Sequence, residues 1–184
     1  MMNNRNESGY SMVDVMIAIA ILLVGVLALV GATARAIVQT TQSQDALIAK
    51  QYASSTIEAI FSARDLDTLG WDAVGNVGSA EVPGGVFVTG EQGIWPTAGA
   101  DGIVGTDDDS AGPNGSPGDS DDGTPAEGFR REITIANVPD PLRPNATPSL
   151  RRIDVTISYT VGGKRYRETF TTYVANYRTD DEDE

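Results

Sequence analysis

The sequence predicts an α+β chain: a long N-terminal helix, membrane-spanning in its first half, packed on a small antiparallel β-sheet. Three observations predict it. From Val15 to Ala34 roughly twenty residues pass without a charge, the length that spans a hydrocarbon core as a helix. A helix-period pattern then continues to about Ala63 with neither Pro nor Gly beyond Ala34. Near the C terminus, two runs of alternating apolar and polar residues flank Gly162–Gly163.

The first run, "VMIAIAILLVGVLALVGATA", is apolar on all sides, as suits immersion in lipid. A secretory signal peptide would have a positive start, a shorter apolar core and a cleavage site after it. Here "MMNNRNESG" is barely positive, and the helical pattern outlasts the apolar run. The continuation over 35–65 is rich in good helix formers. Ile37, Leu47, Ile48, Ala53, Ile57, Ile60 and Phe61 recur at roughly helical spacing and predict an amphipathic stripe. The expectation is one helix from about Ser11 to Ala63; the alternative is two helices with a break near Gly31.

The stretch "SGYSMVDVMIAIAILLVGVLALVG" resembles the processing and assembly segment of type IV pilins and type II secretion pseudopilins. The shared pattern is a polar leader ending in Gly, then an aromatic or apolar residue, [ST]-[LM]-[IV] and an acid, then a long apolar run. The resemblance implies that residues 1–9 are a leader cut between Gly9 and Tyr10 by a prepilin peptidase, with N-methylation of Tyr10. It makes 10–34 the transmembrane and assembly helix, with Asp14 at the acidic fifth mature position. It also implies a single-pass protein of the bacterial inner membrane, later an extracytoplasmic part of a pilus or secretion pseudopilus. Two departures stand out: the acid is Asp rather than Glu, and the first mature residue is Tyr rather than Phe.

Asp14 is the oddity of the apolar segment, because an acid at the bilayer centre costs about 2.5–3.5 kcal/mol. Cleavage after Gly9 would create an amine at Tyr10, and residues four apart share a helix face. Pairing with the terminal amine of another subunit would offset the cost and set the stagger between subunits. The competing role for Asp14 is a local cap of the helix N terminus, where the dipole favours negative charge.

Residues 66–178 read as a β-rich domain. "GGVFVTG" around Val86–Thr89 and "FRREITIANV" from Phe129 to Val138 read as strands. Ile153, Val155, Ile157, Tyr159 and Val161 alternate with polar residues, and two glycines before the run Lys164–Ala175 signal a two-residue hairpin. The helix stripe is the natural cover for one sheet face. "RRIDVTISY" and "ETFTTYVAN" also resemble the C-terminal hairpin of minor pilins of the PilV kind.

Residues 98–128 form a Gly-, Asp-, Pro- and Ser-rich insert with few apolar residues, which predicts a solvated loop without a core of its own. Its sharper reading is a calcium site, since Ca²⁺ takes six to eight oxygens held by turns that glycine permits. "DGIVGTDDD" offers Asp101, Asp107, Asp108 and Asp109, with Asp119, Asp121 and Asp122 within reach. The tail 179–184 is a run of acids that predicts disorder.

The charge and composition narrow the function. A net charge of −13 disfavours a nucleic-acid partner. With no His and no Cys, the commonest general base and the thiolate ligands are missing. No phosphate-cradling Gly loop precedes a helix, and the acidic loop is expected to lack the apolar surroundings that raise a carboxyl pKa. The sequence therefore predicts no enzyme and no required cofactor, with calcium as the one metal in question. The expected partners are other pilin subunits, the prepilin peptidase and the inner membrane. The alternative from another class is a single-pass anchored domain that binds calcium or another ligand and does not polymerise.

Overall fold

The computed structural model describes residues 11–143 and 146–176. The predicted leader with Gly9 and Tyr10, and the acidic tail, lie outside the described residues. Helix α1 runs from Met12 to Asp65 and stays helical through Gly25 and Gly31, so the two-helix alternative is set aside. The chain divides into two compact units, 1–43 and 44–184.

In the first unit, every large apolar side chain from Met12 to Val30 is exposed. The helix is long and apolar enough to cross a membrane. Where the composition turns polar, the hydroxyls of Thr33, Thr40, Thr41 and Ser43 donate to carbonyls four residues back. Each thereby satisfies its own proton without leaving the helix.

In the second unit, the remainder of α1 lays one face on a four-stranded antiparallel sheet. The strands are β1 (Gln92–Gly93), β2 (Phe129–Asn137), β3 (Leu150–Val161) and β4 (Lys164–Ala175), paired in that order. The β3–β4 hairpin turns at Gly162 and Gly163, whose φ values of 57° and 78° fit the two left-handed positions of a type I′ turn. The predicted inward set of Ile153, Val155, Ile157, Tyr159 and Val161 is buried, with Ile133 and Ile135 of β2 on the same face. Tyr52 of α1, Phe129, Tyr159 and Tyr166 form an aromatic row with ring centroids 5.4–5.8 Å apart. Spacings in this range suit edge-on and offset contacts.

Two expectations are corrected. The buried helix stripe is Ala49, Ala53, Thr56, Ile60 and Ala63, so of the residues read from the sequence Ala53 and Ile60 are on it and the others are not. Its spacing alternates between four and three, and its mostly small side chains let the helix backbone approach a sheet that supplies the bulk. Leu47 and Ile37 are exposed and Ile48 is 36% exposed, while Ile57 and Phe61 pack at the margin of the core. The segment Val86–Thr89 is not a strand. Phe87 is fully buried, but its backbone pairs with Gly75 and Val77 through one isolated bridge, too short a match for a ladder.

Asn76 completes the sheet on that side. Its Nδ2 donates to the Ile133 carbonyl at 2.7 Å, and its Oδ1 accepts the Ile135 amide at 2.7 Å. A buried side chain thus stands in for a neighbouring strand where β1 is too short to cover β2. Arg151, at the start of β3 opposite Asn137 of β2, anchors the neighbouring loop. It stacks 4.2 Å from the Trp71 ring and donates to the carbonyls of Trp71 and Val74, fixing the 3₁₀ turn Trp71–Ala73.

Candidate functional site

Two regions carry the residues of interest. At the start of α1, the Ser11 hydroxyl accepts the Val13 amide at 3.3 Å, and Asp14 Oδ2 accepts the Ser11 amide at 3.2 Å. The Ser11 hydroxyl thus caps the second helical amide, and Asp14 reaching back to the Ser11 amide forms one half of a capping box, with Asp in place of the more frequent Glu. Both bonds sit at the long end of the N–H···O range. Asp14 also shares a face with Val15, Ala18, Ile19 and Leu22, so it heads an apolar stripe.

The second region is the acidic insert, which has no core of its own but is less solvated than expected, because Ile103 packs into the core of the domain. Ile103 and Ala111 are buried, and Asp107–Ala111 forms a 3₁₀ turn. Gly105 has φ 89°, and a Cβ there would run into Ile133 Cδ1, so the loop backbone lies directly on the sheet. The supposed lack of apolar surroundings is corrected as well. Asp109 is buried, and burial pushes its carboxyl above the usual range, against the opposing Gly105 amide and Arg131. Arg131 lies 2.8 Å away, and burial pulls its guanidinium down despite the partner. Its Nη1 also reaches Thr56 of α1 at 3.3 Å.

The four aspartates read as a calcium set have separate positions. Asp101 Oδ1 accepts the Ile103 amide, and its own amide donates to Asp108 Oδ2. Asp108 also lies 2.8 Å from the Thr106 hydroxyl. Burial works to raise Asp108, but these bonds outweigh it and hold the carboxyl below its ordinary value. Asp107 is exposed, and Asp109 is turned inward to Arg131. Among the described residues, the three carboxylates that converge are instead Asp119, Asp121 and Asp122, each with an oxygen within 4.8 Å of the others.

The sequence reading missed Arg131. The signal was present, because Arg131 falls on the same alternate positions of β2 as Ile133 and Ile135. A charge on the core side of an alternating strand announces a buried partner. Asn76 carried no such signal, since its role depends on the length of β1. No family model, no curated protein and no solved structure matches this chain, so its function is argued from its own residues.

Proposed function

We propose that the chain is a minor pilin or pseudopilin, cut by a prepilin peptidase between Gly9 and Tyr10. Its N-terminal helix then assembles it into, or at the tip of, a type IV pilus-like filament outside the inner membrane. The observation that carries this reading is α1 itself. Its first twenty or so residues expose apolar side chains on every face, a composition suited to lipid. Yet the stripe headed by Asp14 places a carboxylate where lipid offers it no partner. A helix that ends among sister helices resolves both facts, since its faces pack on neighbours and Asp14 meets a terminal amine. The domain behind it needs no catalytic group for that role.

Asp14→Ala tests the proposal. The variant remains in the membrane fraction and disappears from sheared filaments, while Asp14→Glu restores incorporation. Equal incorporation of Asp14→Ala and wild type contradicts the reading.

A second reading has one observation in its favour. The Ser11–Asp14 capping contact gives Asp14 a purely local task, which suits a single-pass anchored domain that never polymerises. On that reading Asp14→Ala costs helix N-terminal stability and nothing else.

A further inference from the structure

We propose that the loop 112–123 holds one calcium ion on Asp119, Asp121 and Asp122. The site is distinct from the Asp101–Asp109 stretch and independent of the filament reading. Three carboxylates bring oxygens within 4.8 Å of one another. Among the described residues, no lysine or arginine lies within ion-pair distance of any of them. The group that bridges Asp119 and Asp121 is neutral: Asn114 Nδ2 donates to both, at 2.8 and 2.9 Å. It supplies hydrogen bonds but no positive charge.

The second, independent observation is Asp122. It is only 8% exposed, its Oδ2 accepts the Gly118 amide, and its Oδ1 is buried with no hydrogen-bond partner. A carboxylate oxygen removed from water and left without a partner is costly, and such an atom calls for a cation or a donor. Asp109 also has an unpaired oxygen, but Arg131 already neutralises it. Asp122 has no such partner among the described residues, and it sits beside two further acids.

The chemistry selects the ion. Every available side-chain donor is oxygen, which favours a hard cation over zinc or copper. The turns at Gly112, Gly115, Gly118 and Gly123 all have positive φ, and they close a small loop rather than a rigid octahedral cage. Calcium accepts irregular oxygen shells and carboxylates more readily than magnesium, which dehydrates reluctantly. Three carboxylates with water completing the shell place the affinity at about 0.1–1 mM, the range of weak extracellular modules.

Calorimetric titration of the detergent-solubilised full chain with CaCl₂ tests this, with MgCl₂ titrated in parallel. The expected result is one saturable site for calcium, with magnesium weaker. Asp122→Asn and the exposed Asp121→Asn each weaken binding at least about tenfold, while Asp107→Asn leaves it unchanged. Asp121→Asn touches no buried group, so its loss of binding cannot be ascribed to misfolding. Absence of calcium heat overturns the proposal. So does binding that survives both loop variants, binding lost in Asp107→Asn, or a preference for magnesium.

Discussion

Arg131 and Asp109 form an ion pair at 2.8 Å inside the domain, with side chains only 4% and 7% exposed. Arg131 belongs to the sheet, Asp109 to the acidic insert, and the Thr56 hydroxyl that Arg131 also reaches belongs to the helix. One guanidinium therefore ties together three parts of the second unit. Burial acts on both groups in the direction of neutrality, so the pair is held by geometry against a substantial desolvation cost.

Removing one partner of this pair is expected to be worse than removing both. Arg131→Met strands a carboxylate that already has one unpaired oxygen, at a cost of about 3–5 kcal/mol. The double variant Arg131→Met, Asp109→Leu recovers most of that loss. Urea unfolding in detergent, followed by the fluorescence of Trp71 and Trp95, measures the difference. Additive losses in the double variant contradict the account.

Tyr159 gives the domain an alkaline dependence. Burial, the hydrogen bond to Glu168 at 2.8 Å and the charge of Glu168 push its phenol up to about 12. A group whose folded pKa is raised contributes stability that is complete below its unfolded value, about 10, and is lost as pH rises through 12. The stability advantage of wild type over Tyr159→Phe is therefore constant to about pH 10 and shrinks between 10 and 12. Melts of the two proteins across that window check it, and a constant difference contradicts it.

Asn76→Ala unpairs the Ile133 carbonyl and the Ile135 amide on the edge of β2. Each buried group left without a partner costs about 1–3 kcal/mol. Hydrogen exchange in the variant should show the Ile135 amide losing protection while amides paired within β3–β4 keep theirs. Unchanged protection at Ile135 would show that Asn76 is not its partner.

The helix face can be tested by a contrast between two aliphatic residues. Ile60→Ala opens a cavity under the sheet and costs about 2–5 kcal/mol. Leu47→Ala, on the exposed side, changes stability by no more than about 0.5 kcal/mol. Comparable losses in the two variants would restore the stripe read from the sequence.

The parts of the fold legible in the sequence are those set by local pattern. The alternation around Ile153–Val161 and the paired glycines at 162–163 specify a hairpin whatever surrounds them, and the run Val15–Ala34 specifies an apolar helix. The helix stripe was read only in part, through Ala53 and Ile60, because pattern reading weights large side chains, whereas Ala49 and Ala63 are buried where close approach is needed. Val86–Thr89 was read as a strand because Val and Phe favour the pleat, but no partner strand lies alongside for more than one bridge. The acidic insert was read from composition as solvated. Its few apolar residues and Asp109 are what anchor it, and that depends on Arg131 arriving from a strand 22 residues later. The convergence of Asp119, Asp121 and Asp122 depends on consecutive turns, which spacing alone does not fix.

The most direct measurement of the functional account is mass spectrometry of the N terminus, on protein purified from cells with an active prepilin peptidase. The account predicts a chain that begins at Tyr10 and carries one added methyl on its amine. A chain that still carries residues 1–9 in those cells contradicts it.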